Sequence, residues 1–259
     1  MTLIFLRRRN IKMIIRTEAV VIREQATGER DKLLTLLTRE RGIIKAFANG
    51  ARSPKNRNAN TTDVFCYSDM SLTKGKSGAY SLRESCPKDV FFSLRGDIVK
   101  LSLAQYICEL AEELAPREEP AEELFSLFLN CLHLLANTKK DIYLIKAAAE
   151  LRMLTLSGYM PAIVACDSCG TYESEKMYFS TFTGKLYCEK CKPEEKTVTL
   201  GLGVVTAMRH ICFSDPERVF RFKMSKDGLS ALCAVSEKYL KSVTMRNYKT
   251  LEFFKYMTE

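Results

Sequence analysis

The amino-acid sequence predicts an α+β multidomain chain: a small closed β-barrel at the front, then an α-helical bundle domain with a four-cysteine module inserted in it. Three observations predict it. Short β-rich segments punctuated by turn residues recur between residues 13 and 88. From residue 91 onward, apolar side chains fall at helical spacing instead. Cys166, Cys169, Cys188 and Cys191 form two C-x2-C pairs separated by eighteen residues.

The front segment justifies the barrel strand by strand. Ile14, Ile15, Val20, Val21 and Ile22 make a β-rich first strand, and a turn at residues 26–29 leads to a second at 32–38. Residues 42–48 supply a third. Residues 64–72 and 79–84 complete the set, joined by a Gly- and Lys-containing turn at 74–78. Five short strands in about 75 residues suit an OB-fold barrel. Leu33, Leu34, Leu36 and Leu37 fit a helix as well as a strand, so the second strand rests on its neighbours.

Residues 50–60 show no apolar periodicity and contain three basic side chains, so a mobile surface loop is expected there. Lys45, Arg52, Lys55, Arg57, Lys74 and Lys76 lie on loops or strand ends, where burial is implausible. They are the expected phosphate contacts. Phe47, Phe65, Tyr67 and Tyr80 are available to stack bases, but strand alternation favours a core position for each.

In the second part, Leu101, Ala104, Ile107, Cys108, Ala111 and Leu114 trace a helical stripe that Pro116 ends. Glu119, Glu122 and Glu123 open a second helix, where acids suit the positive end of the macrodipole. A third runs from Asp141 to about Ser157 and stops at Gly158, with Pro161 beyond. Residues 203–213, 226–241 and 248–257 read as further helices. Short connections imply antiparallel neighbours. The division expected is therefore a barrel at 13–88 and a helical domain at 89–259, with the cysteine module at about 162–193.

Two C-x2-C pairs at this separation are zinc-ribbon spacing, because each pair turns back so that four sulfurs meet one tetrahedral ion at about 2.3 Å. Gly170 suits the tight turn after the first pair. Residues 177–180 and 186–187 flank Thr183 and Gly184 as a hairpin that returns the second pair to the first. Four thiolates leave no open position for water, so the Zn2+ expected is structural. A redox C-x2-C would want a thioredoxin-like βαβ setting, which is absent. The other six cysteines, Cys66, Cys86, Cys108, Cys131, Cys212 and Cys233, stand alone in apolar patterns and read as small buried hydrophobes.

Charge narrows the partner. The chain has 40 Lys+Arg against 31 Asp+Glu, a net +9. Residues 1–90 hold 18 basic and 9 acidic side chains, an excess equal to the whole net charge. A basic front suggests a polyanion, although a solvated basic surface has the same composition. The apolar start of the chain precedes Arg7, Arg8 and Arg9, the reverse of a secretory leader, so a cytoplasmic protein is expected, with residues 1–12 as an extension before Met13. No apolar run reaches the ~18–20 residues of a membrane span. There is no phosphate-binding Gly-x-x-x-x-Gly-Lys loop. Asp63 and Asp69 lack further acids, and nothing assembles a nucleophile, a base and an oxyanion site. A binding protein is expected, not an enzyme.

These residues resemble a known family, the bacterial RecO-type recombination mediators. The resemblance rests on Thr17-Glu18-Ala19-Val20-Val21-Ile22, on the run from Gly28-Glu29-Arg30-Asp31 to Thr38, and on Arg41-Gly42-Ile43 leading to Gly50-Ala51-Arg52. A helical middle and the four cysteines follow in the same order. It implies binding to single- and double-stranded DNA and annealing of complementary strands. It also implies partnership with RecR in loading RecA onto DNA coated by single-strand-binding protein (SSB), with a contact to the acidic SSB C-terminal tail. Two other classes fit the residues alone: a zinc-ribbon accessory protein for RNA or transcription, and an adaptor whose basic face takes acidic protein tails.

Overall fold

The computed structural model describes residues 13–53, 55–75 and 78–258, so the extension at 1–12 and Lys76 lie outside the described residues. Five strands, β1 (Ile14–Thr27), β2 (Asp31–Thr38), β3 (Gly42–Ala48), β4 (Tyr67–Lys74) and β5 (Tyr80–Asp89), close into a barrel in the order β1-β2-β3-β5-β4. All pairings are antiparallel except β3 with β5. This is the OB arrangement. Strand β1 achieves the closure. Its first half pairs with β4, its second half with β2, and a register slip between Val21 and Arg23 bends it from one partner to the other.

The ambiguity of the leucine-rich second strand has a physical cause. Ala19, Val21, Leu34, Leu36, Ile44 and Ala46 point into the barrel, whereas Val20, Ile22, Leu37 and Ile43 point out into the core of the helical domain. A strand buried on both faces loses its alternation and reads as a continuous apolar run.

Six helices follow: α1 (Ile98–Leu114), α2 (Glu122–Asn137), α3 (Ile142–Leu156), α4 (Leu202–Phe213), α5 (Lys226–Thr244) and α6 (Lys249–Thr258). The Asp97 carboxylate caps α1 by accepting from the backbone N–H groups of Val99 and Lys100, each at 3.1 Å. The helix ends at Ala115, which takes an extended conformation as residues before proline do. Asp141 caps α3, accepting from Tyr143 N at 2.9 Å. Between α3 and α4 stand β6 (Lys176–Ser180), β7 (Lys185–Cys188) and β8 (Val198–Gly201), a small sheet in the order β7-β6-β8. Among the described residues no helix is long and apolar enough to cross a membrane.

Residues 115–121, joining α1 to α2, form a strap across one end of the barrel. Ile43 N donates to Pro116 O at 2.8 Å, and Ala121 N to Arg39 O at 2.9 Å. Gly42 beneath it has φ +52°, and a Cβ there would stand 2.0 Å from Pro116 O. Only glycine lets the strap lie that close. Glu119, expected at the opening of α2, lies on this strap instead.

A further expectation, on the lone cysteines, is corrected. Cys66, Cys108, Cys131 and Cys212 are buried, but Cys86 is exposed and Cys233 half-buried. Cys86 belongs to the outer half of β5, which runs past the barrel core. Within segment 50–60, two asparagines hydrogen-bond to the barrel backbone. Asn56 Nδ2 donates to Asn49 O at 2.9 Å, and Asn58 Nδ2 donates to Arg83 O at 3.2 Å.

Candidate nucleic-acid interface and cysteine cluster

Alternation along β3 sends Ile44, Ala46 and Ala48 inward, leaving Lys45 and Phe47 on the outer face two positions apart. Phe47 pairs across the ladder with Leu33 of β2. These side chains line a groove of about 440 Å3 between the β2–β3 face, the β4–β5 connection at Gly78 and Ala79, and the strap at Arg117 and Glu118. OB barrels take oligonucleotides on this face. A cation beside an exposed ring supplies phosphate attraction and base stacking together. Phe47 is 36% exposed, whereas Phe65 and Tyr80 are buried and Tyr67 is half-buried against Phe125. The expectation of a core position therefore fails for Phe47, because the outer face of β3 is uncovered here.

Among the described residues, the other basic candidates do not gather in one patch. Arg52 donates through Nη1 to the carbonyls of Gly28 and Glu29, at 3.2 and 3.1 Å, and so braces the β1–β2 turn. Lys55 is exposed on the 50–60 segment. Arg57 pairs with Glu84 at 3.0 Å and lines a different cleft, beside Arg16, Glu18, Glu40 and Asp69 on β1, β4 and their surroundings. Lys74 pairs with Glu118 at 3.0 Å and sits 4.9 Å from the centre of the Tyr80 ring. Asp63 and Asp69 are occupied by ion pairs with Lys32 and Lys88, at 2.9 and 3.0 Å. Sequence reasoning missed Arg117 and Glu118 at the groove, because no local signal brings a connection between two helices to a barrel mouth.

Glu118 accepts from Tyr80 Oη at 2.5 Å as well as from Lys74. Burial opposes its ionisation, but the hydrogen bonds from Tyr80 and Lys74 prevail and hold its carboxyl below the usual range. At the barrel–helix junction Glu18 accepts from Lys88, from Tyr67 Oη at 2.7 Å and from Arg39 Nε at 2.5 Å. The Lys88 hydrogen bond leads in lowering its pKa to about 2, against partial burial and with help from Tyr67 and Arg39. Arg39 continues to Glu122 of α2 and lies 5.1 Å from the centre of the Phe125 ring, so this network ties barrel to bundle.

At the rear, the expected hairpin forms. β6 and β7 pair in register, with Gly184 at φ +70° in their turn. The first knuckle folds back on itself: Gly170 N donates to Cys166 O at 2.9 Å, and Cys166 N to Thr171 O at 2.8 Å. Asp167 N then donates to Leu186 O at 2.8 Å, fixing the knuckle to β7. The sulfurs of Cys166, Cys169, Cys188 and Cys191 all lie within 4.8 Å of one another. Cys169 Sγ and Cys188 Sγ are 3.6 Å apart. Tetrahedral thiolates at about 2.3 Å from one ion stand about 3.8 Å from each other, so the donor set fits a single metal.

A five-stranded OB barrel, joined to a helical bundle with a four-cysteine knuckle in it, defines a modular OB-fold protein with a cysteine-cluster appendage that could hold a metal. The family model described as "Recombination protein O N terminal" matches residues 13–91, and "Recombination protein O C terminal" matches residues 95–252. The DNA repair protein RecO of Acetivibrio thermocellus is 32% identical over 242 residues, covering 93% of this chain and 96% of that protein. DNA repair protein RecO of Alkaliphilus metalliredigens is 31% identical over 245 residues, covering 94% and 99%. That of Symbiobacterium thermophilum is 31% identical over 240 residues, covering 91% and 94%. The chain belongs to the RecO family of DNA repair proteins.

Proposed function

We propose that this chain is a recombination mediator that binds single- and double-stranded DNA and anneals complementary strands. With RecR it helps place RecA on single-stranded DNA coated by SSB, and it contacts the acidic C-terminal tail of SSB. The observation that carries the reading is Phe47 exposed beside Lys45 in the groove of an OB barrel, in a chain of the RecO family. Cationic side chains displace counterions from phosphates, which gives affinity with little sequence preference. Holding two strands on one cationic surface lowers their mutual repulsion, and pairing follows. The protein acts by holding strands and makes or breaks no bond itself. Lys45, Arg52, Lys55, Arg57, Lys74 and Lys76 are the proposed phosphate contacts; among the described ones, Lys45 lies on the groove face. Cys166, Cys169, Cys188 and Cys191 would hold a Zn2+ that organises the rear of the helical domain; closed coordination by four thiolates gives it a structural role.

The test is strand annealing of complementary oligonucleotides with and without SSB, beside binding to DNA and RNA single strands of equal length. Faster annealing that survives SSB supports the mediator. Tight binding to acidic peptides without acceleration of annealing would make the chain an adaptor, and a preference for RNA would move it to the accessory class.

A further inference from the structure

The groove on the β2–β3 face already contains a negative charge. The strap places Glu118 in the left-handed region, at φ +60°, which side-chain-bearing residues seldom adopt. From there its carboxylate reaches across to Lys74 Nζ at 3.0 Å and Tyr80 Oη at 2.5 Å. Lys74 ends β4 and Tyr80 begins β5, so both stand where the β4–β5 connection meets the groove. Glu118 itself lines that groove with Lys45, Phe47 and Arg117. A carboxylate bound by an ammonium and a phenol occupies the position and uses the donors that a phosphate oxygen would. Its neighbour Glu119 makes no hydrogen bond or ion pair through its side chain among the described residues, so the engagement belongs to residue 118 and not to strap acidity in general.

We propose that Glu118 is an intramolecular phosphate mimic that holds Lys74 in the free protein and must be displaced when a nucleic-acid strand enters the groove. The proposal rests on the DNA-binding reading above. Both side chains of the pair are part-exposed, 40% for Lys74 and 45% for Glu118, and an ion pair of that kind is weak enough for a phosphate to replace. The device sets affinity and selectivity: a chain of regularly spaced phosphates can compete with Glu118, whereas an isolated anion gains little by doing so. It also couples the groove to the helical domain, because the strap is continuous with α1 and α2.

Glu118→Gln keeps a hydrogen-bonding partner for Tyr80 and removes the charge, so the fold has no reason to fail. Binding of a single-stranded oligonucleotide is measured against salt for wild type, Glu118→Gln, Glu119→Gln, Lys74→Ala and the Lys74→Ala/Glu118→Gln double variant. The expected gain for Glu118→Gln is about twofold to fivefold at low salt. Its log–log salt slope should steepen by about 0.7, one more phosphate neutralised on a single strand. Glu119→Gln makes the same change in net charge and is expected to give less, and the gain should vanish in the Lys74→Ala background. Equal gains for the two glutamates, or a gain that persists without Lys74, overturn the proposal. Wild-type binding with no gain in Glu118→Gln overturns it alone, whereas no wild-type binding at any salt would take down the DNA-binding reading and the mimic with it.

Discussion

The N-terminal barrel closes its hydrogen-bond ladder on itself and encloses its own apolar core, from Ile15 and Ala19 to Leu72 and Leu82, whereas the β7-β6-β8 sheet does neither. The second sheet has strands of four or five residues, and its buried side chains Met177, Phe179, Leu186 and Leu200 belong to the core of the helical domain. Phe179 packs edge-on against Tyr239 of α5, with ring centres 5.4 Å apart. Sheets this small are marginal without outside support. One β-module therefore has a core of its own besides the face it shares with the bundle, and the other leans on neighbouring helices and on four clustered cysteines. Damage to each support should appear in a different module.

The largest effect is expected from loss of the proposed metal. A structural thiolate site contributes about 10–16 kcal/mol of binding. Cys166→Ala, or a chelator, should strip hydrogen-exchange protection from residues 162–193 while barrel amides keep theirs. Equal loss in both modules would show that they do not stand separately, and metal analysis that finds no zinc in wild type would remove the cause. Next in size, Phe179→Ala should cost about 3–5 kcal/mol in denaturant unfolding, because it empties a fully buried site that the helices share. Phe47→Ala sharpens the contrast from the other side. It should leave stability within about 0.5 kcal/mol, yet weaken single-strand binding by about 1–3 kcal/mol if a base stacks there. Unchanged affinity would take Phe47 out of the interface.

The smallest effect concerns the junction between barrel and bundle. The Glu18 carboxyl is depressed to about 2 in the folded protein, from an ordinary 4.5. Its contribution to stability is therefore complete above pH 4.5 and is lost as pH falls toward 2. Glu18→Gln should lower stability at neutral pH and flatten the acid limb of the stability curve between those values. A variant with an unaltered acid limb would show that other carboxylates set it.

Local chemistry was legible wherever an element depended on its own residues. Asp141 announces the start of α3 because a short acceptor beside free backbone N–H groups needs no tertiary partner. The thiol pairs were legible for the same reason, since the knuckle is made by residues a few positions apart. Phe47 was misplaced because alternation assigns a side chain to one of two faces and says nothing about which face another domain covers. Cys86 was misplaced similarly, on a strand that continues beyond its core. The helical stripe of α3 shows the limit most clearly. Lys146, Glu150 and Arg152 would mark a solvent face on an ordinary amphipathic helix, yet all three are buried. Glu150 pairs with Lys146 at 2.7 Å and accepts from Tyr106 and Ser236, at 2.7 and 2.5 Å, while Arg152 donates to Cys212 O at 2.5 Å.

Short-range spacing by itself determined the helices, the four-sulfur cluster and the strands other than β2 and β8, because each arises from backbone geometry repeated over a few residues. Docking of barrel on bundle decided the rest: which face of β3 stayed open, how charges could enter the middle of α3, and how a carboxylate from the strap reached Lys74 across the groove. Those contacts join residues dozens of positions apart, and their energies exist only once both cores have formed and excluded water between them.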